Sequence, residues 1–254
     1  NTIVVPNGYR AVSEAEQKVL SDWVKQGGTL IAHGNSAGSF ASENGIGSVR
    51  KVQDTFEKRH DYDVAVQREW LASSDKLDTK AVASHTASLN VDYPWDSAPE
   101  SLSKDELEKR DQWQSRFMPS GAMVAGRVDT DHWLTFGTSD ILPLLYANQP
   151  VLMTNGSADA VIRVGTLTKN YGVEEGRALN WSTLPAGYDM TVRMSGLVWP
   201  EATQRIANSA YLTRERLGKG QVILFSGQPN FRGSTRGTNR LWLNALVYLS
   251  LIHI

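Results

Sequence analysis

The sequence predicts an α/β fold, and three observations carry that reading. The apolar run Ile3-Val4-Val5 is followed by a capped amphipathic helix and then by a second apolar run, Thr29-Leu30-Ile31, giving the order strand, helix, strand. Such a βαβ unit with short connections predicts a parallel sheet covered by helices, with the loops at the carboxyl ends of the strands as the functional edge. Apolar alternation returns after residue 120, each run bounded by Gly, Asn or Asp. With 254 residues, 41% of them hydrophobic, the chain can bury a full core as one large domain or one domain with an insertion.

Ser13-Glu14-Ala15-Glu16 is a capping box, so the first helix starts there. Ala15, Val19, Leu20, Trp23 and Val24 fall on one face at helical spacing, and Gly27-Gly28 supplies the stop before the next strand. Residues from about 40 to 120 are polar and mixed in charge, with Trp70, Trp95 and Trp113 scattered through them, and read as an insertion of helices and loops. Within it the expected elements are a helix near Val49 to Arg59, a loop around Asn90 to Glu100, and a second capping-box helix from Ser103 to Phe117. The three tryptophans are expected to pack the insertion onto the sheet.

Strands are expected at Ala122 to Val128, Pro150 to Met153 and Ala160 to Val164. A hairpin follows, Ala210 to Leu217 and Gln221 to Ser226, joined by Gly218-Lys219-Gly220. The last helix starts at about Thr238, with Leu241, Trp242, Leu243, Ala245, Leu246 and Tyr248 mostly buried.

A net charge of −1 argues against a dedicated nucleic-acid or anionic-membrane surface, and no stretch approaches the roughly 18 apolar residues that span a bilayer. Partners are therefore small molecules or proteins. The absence of cysteine excludes disulfides, thiolate nucleophiles and cysteine metal sites, but leaves the compartment open. The chain opens at Asn1 inside an apolar run, as though a strand had been entered partway, and reads as truncated at its N-terminus. Leu249-Ser250-Leu251-Ile252-His253-Ile254 matches the translated end of a transposon-based sequencing adapter; the other reading is an apolar tail continuing the last helix.

Gly34-Asn35-Ser36-Ala37-Gly38 fits G-x-S-x-G, the strand-to-helix turn that presents Ser36 as a nucleophile in α/β-hydrolases. Such a site needs an acid and then a histidine later in the chain. Outside the tail only His60, His85 and His132 follow, and none stands late.

The same segment has a fuller match. Ile3-Val4-Val5-Pro6-Asn7-Gly8, the helix, and Trp23-Val24-Lys25-Gln26-Gly27-Gly28-Thr29-Leu30-Ile31-Ala32-His33-Gly34 together resemble the class I glutamine amidotransferase-like fold. Its catalytic members carry a cysteine, often as Cys-His-Gly, where this chain has Ala32-His33-Gly34. Alanine cannot attack a carbonyl, so the resemblance implies a turn that is kept and acyl-transfer chemistry that is lost.

Two later segments narrow the resemblance. Asp129-Thr130-Asp131-His132-Trp133-Leu134-Thr135-Phe136-Gly137 looks like the aspartate-x-x-His-Pro-Leu-x-x-Gly segment of the amidotransferase-like domain that follows the catalytic domain of certain bacterial zinc carboxypeptidases, with Trp133 where proline is common. Gly218-Lys219-Gly220-Gln221-Val222-Ile223-Leu224-Phe225-Ser226-Gly227-Gln228-Pro229-Asn230-Phe231-Arg232-Gly233, continuing to Leu246, is the more specific match. The resemblance implies a flavodoxin-like three-layer sandwich with a mostly parallel sheet, a helical and loop insertion at about 40–120, and a C-terminal hairpin, all within residues 1–248.

It also implies a function. This chain would be the non-catalytic accessory domain of a periplasmic or secreted zinc metallocarboxypeptidase, with its own N-terminal peptidase domain as partner and zinc held there by an H-x-x-E pair and a distant histidine. No H-x-x-E occurs in this chain, and His60-Asp61-Tyr62-Asp63 reads as a polar helix end or loop, so no metal or other cofactor is expected here. Ligand-binding candidates for a peptide or cell-wall fragment are His33, Asn35, Ser36, Asp131, His132, Asn230 and Arg232. Asp131 and His132 could face the strand-end crevice, and Arg232 could pair with a carboxylate. Their competing role is to fix loops through backbone hydrogen bonds or to pair within the scaffold. Alternative functions are a serine esterase using Ser36 and a stand-alone peptide- or sugar-binding module.

Overall fold

The Ser13 hydroxyl accepts the Glu16 N–H at 3.4 Å while the Glu16 carboxylate accepts the Ser13 N–H at 2.8 Å. Two donors that a helix start leaves orphaned are thus satisfied reciprocally. That box opens α1 (Glu14–Lys25), which connects β1 (Thr2–Val5) to β2 (Thr29–His33) in the computed structural model, where residues 1–8, 11–74, 102–233 and 235–248 are described. α2 (Asn35–Phe40) follows β2 at once. β3 (Arg50–Lys51), α3 (Arg59–Ser74) and α4 (Lys104–Gln114) belong to the expected insertion. His85, Trp95, the expected loop at 90–100 and the tail 249–254 lie outside the described residues.

Next come β4 (Ser120–Val128), β5 (Ile141–Ala147), β6 (Leu152–Met153) and β7 (Asp159–Val164). The short strands β8 (Thr166–Lys169), β9 (Arg177–Leu179), β10 (Ser182–Leu184), β11 (Tyr188–Thr191) and β12 (Arg193–Ser195) lead to α5 (Pro200–Ile206). The hairpin β13 (Ala210–Leu217) and β14 (Gly220–Phe225) precedes the last helix, α6 (Arg236–Val247).

Among the described residues the main sheet runs β1-β2-β14-β13-β7-β4, and β5 and β12 both pair with β4. β1–β2 and β2–β14 are parallel, as the βαβ reading predicts. The remaining pairings of this sheet are antiparallel, so the expectation of a mostly parallel sheet is corrected. The physical reason lies in the connections. A parallel return needs a crossover of roughly a dozen residues, usually a helix, whereas β13 and β14 turn back through two residues, Gly218 and Lys219.

β2 and β14 are buried along their whole length, because both faces of the sheet are covered. Their alternate residues sort into two cores: Leu30, Ala32, Val222 and Leu224 pack with Val24 of α1 and Ala37 and Phe40 of α2. Ile31, Ile223 and Phe225 pack with Leu241 and Ala245 of α6 on the other side. The sequence overstates α6, since Leu243 and Leu246 are exposed and Trp242 and Tyr248 half-buried. On α1 Val24 is buried, but Val19 is 70% exposed and Ala15 open. With Ile3 and Val5 these two line an open apolar groove of about 780 Å³ beside β1.

In the insertion the helix expected over Val49 to Arg59 is instead β3 and two 3-10 turns, and α3 begins at Arg59, where that helix was to end. The Val52 N–H donates to the Val151 carbonyl, and β3 pairs with β6. The second capping box forms at Ser103, as expected. Trp70 meets Tyr188 of β11 edge-on at 5.5 Å, whereas Trp113 is 52% exposed and packs on Phe117 rather than on the sheet.

α3 is anchored by buried polar groups. Arg163 of β7 pairs bidentately with Glu69 and also donates to Thr154 Oγ1 and the Asn208 carbonyl. Asp63 accepts the Thr183 N–H at 2.8 Å and its hydroxyl at 2.9 Å, so the aspartate of His60-x-x-Asp63 is committed to β10 while His60 points to solvent. Beside Arg163, burial first and the neighbouring guanidinium second lower the Arg127 pKa to about 10.

Candidate functional site

Parallel strands β1, β2 and β14 end together, and the chain leaves each through a polar turn. After β2 the backbone passes through Gly34 at φ +62°, which lets the chain reverse into α2. A Cβ on Gly34 would stand 2.4 Å from Asn7 Oδ1, so the turn after β1 and the turn after β2 touch here. Asn7 Oδ1 accepts the Asn35 N–H at 2.8 Å and locks the two turns together.

Ser36 lies just inside this junction, 2% exposed, and its hydroxyl donates to the Pro6 carbonyl at 2.6 Å. A serine nucleophile must hand its proton to a base, usually histidine, but this proton is held by a backbone carbonyl. His33 is turned away, edge-on to Trp242 at 5.5 Å. Burial lowers its pKa, and its Nδ1 is buried with no hydrogen-bond partner among the described residues. It is a neutral ring at pH 7, packed rather than poised.

Asn7 and Asn35 line a crevice of about 140 Å³ at the strand ends, together with Asn148, Gln149, Gln228 and Phe231. The segment after β5 crosses back over the strand ends to supply Asn148 and Gln149, and Gln149 donates to Ser226 Oγ at 3.1 Å. Asn148 holds a left-handed backbone at φ +49°. Among the described residues the lining holds no ionisable side chain. Of the expected candidates, the structure brings Asn35 into this crevice, whereas Ser36 lines the apolar groove beside β1. Asn230 is exposed on the neighbouring loop, and the Arg232 guanidinium lies over the Phe231 ring, 5.2 Å from its centre, rather than on a carboxylate.

Asp131 and His132 are elsewhere. β7 runs alongside β14 through the intervening β13, and β4 runs antiparallel to β7, so the carboxyl end of β4 lies at the opposite end of the sheet from the crevice. There the Asp131 N–H donates to Asp129 Oδ1, and His132 Nδ1 accepts the Leu134 N–H at 3.1 Å. The other ring nitrogen faces Asp159 at 3.8 Å, and this interaction leads the causes that hold the Asp159 carboxyl below its ordinary range. These residues fix a loop. Among the described residues no group of three or more His, Asp or Glu side chains is placed to hold a metal ion.

The carboxamides of Asn7, Asn148, Gln149 and Gln228 escaped the sequence reading. The available signal was their place immediately after strands, at Pro6-Asn7, Asn148-Gln149-Pro150 and Gln228-Pro229.

By its fold the chain is a mixed α/β protein whose central sheet begins with parallel strands. No family model matches it, and no curated protein matches it. Two solved structures are similar over nearly the whole chain. One is a cytoplasmic protein from Salmonella typhimurium, 15% identical, covering 97% of this chain and 70% of that one at a TM-score of 0.39. The other is described as a putative ThuA-like protein from Bacteroides uniformis, 10% identical, covering 98% and 69% at a TM-score of 0.40.

Proposed function

We propose that this chain is a non-catalytic accessory domain, flavodoxin-like in its layering, that binds a ligand at the carboxyl edge of its parallel strands. Its partner in this reading is the catalytic domain of an exported zinc metallocarboxypeptidase on the same polypeptide, where the zinc and the peptide hydrolysis reside. The observation that carries the non-catalytic half is the Ser36 hydroxyl, whose proton is bound to the Pro6 carbonyl beside the apolar groove rather than in the carboxamide crevice. Ala32, which stands where the resembling family has its nucleophile, supports it further, since it is buried and carries no reactive group.

The carboxypeptidase half rests on the sequence resemblance of Gly218 to Leu246 and of the Asp131-His132 segment. Two measurements test the reading. A fluorophosphonate probe applied to the folded chain leaves Ser36 unlabelled; stoichiometric labelling would replace the accessory role with an esterase. Reading the open reading frame through Asn1 yields an H-x-x-E-bearing domain; a frame without one would end the carboxypeptidase assignment.

A further inference from the structure

We infer that the strand-end crevice recognises an uncharged amide, either the acetamido group of an amino sugar or a peptide bond. This rests on the ligand-binding role proposed above and names the chemistry of that ligand. Among the described residues the lining carries no ionisable side chain, and the Arg232 guanidinium lies over the Phe231 ring outside it, so a carboxylate, phosphate or ammonium group would lose its water without a counter-charge in that lining. A neutral ligand does not face that cost. The side chains offered instead are carboxamides, each able to present one acceptor and two donors in a plane.

Two of them are fixed in opposite senses. Asn7 has its oxygen taken by the Asn35 N–H, which leaves its NH₂ as the free donor. Gln149 gives its nitrogen to Ser226 Oγ, which leaves its oxygen as the free acceptor. One fixed donor and one fixed acceptor complement the C=O and N–H of an amide. Gly227 holds Gln149 in place by close approach, because a Cβ there would stand 2.6 Å from Gln149 Oε1. The Phe231 ring supplies an apolar wall for the carbon attached to the amide, and about 140 Å³ accommodates an acetamido group with part of its parent residue. Asn148 is exposed and Gln228 half-buried, and among the described residues neither side chain carries a hydrogen bond of the fold.

The test is an NMR titration of the whole chain with N-acetylglucosamine and N-acetylalanine N-methylamide, with glucose, acetate and inorganic phosphate as comparators. At least one amide is expected to shift the side-chain NH₂ signals of Asn7 and Gln149 saturably, and the tighter of the two names the source. Asn148→Gly, which keeps the left-handed backbone, and Gln228→Ala are each expected to weaken it about three- to tenfold, the size of one neutral hydrogen bond. Saturable shifts from glucose, acetate or phosphate without either amide would overturn the amide assignment and leave the ligand-binding role standing. No shift from any of the five would overturn both.

Discussion

His33 sits edge-on to Trp242 at the end of β2, and burial pulls its pKa below the ordinary 6.5. The unfolded chain therefore takes up this proton at a higher pH than the folded chain does. Between the two values the unfolded state binds more protons, so stability rises with pH there and is lost as the solution is acidified through 6.5 toward the folded value. Thermal unfolding followed from pH 7 to pH 5 should show that loss, and His33→Phe, which keeps the ring on Trp242, should reduce it; equal pH slopes for the two proteins would refute the assignment. Ser36 makes the companion case. Ser36→Ala removes a buried hydrogen bond and leaves the Pro6 carbonyl unmet, for a loss of about 1 kcal/mol in urea unfolding. The serine was legible from G-x-S-x-G, but its engagement was not, because Pro6 lies thirty residues away in the chain.

Elements whose signals are local came through the sequence reading intact. Both capping boxes form, and Ser13→Ala should cost about 1 kcal/mol, read from the urea midpoint. The segment from Val49 to Arg59 went the other way, because the Val52–Val151 hydrogen bond and the pairing of β3 with β6 join residues about a hundred positions apart. A helical pattern in one window cannot register such a partner. α3 depends on the same kind of distant contact through Arg163 and Glu69. Arg163→Leu, which strips a buried cation from Glu69 and unpairs Thr154 and the Asn208 carbonyl, should lower stability by about 3 kcal/mol in denaturant unfolding. A loss below 1 kcal/mol would mean that α3 is held mainly by its apolar face.

For the molecule as a whole, the hairpin turn is where the βαβ unit and the rest of the sheet are joined. A Cβ on Gly220 would stand 2.1 Å from both the Val24 and Gly28 carbonyl oxygens, so backbone meets backbone with no side chain able to yield. Gly220→Ala is expected to destabilise the fold by about 3 kcal/mol or more, measured by calorimetry, and an unchanged Tm would show that the turn can shift. By itself the sequence determined the strand-helix-strand start, the caps, the hairpin and the absence of cysteine chemistry, since each is written in residues close together. It also placed Asn35 and Ser36 at a strand-end turn. Tertiary structure alone decided that most strands pair antiparallel, that Asp131 and His132 stand at the far end of the sheet, and that carboxamides from four separate segments share one crevice. The reason is physical: hydrogen-bond direction and side-chain convergence depend on which strands become neighbours, and burial over the whole chain settles that.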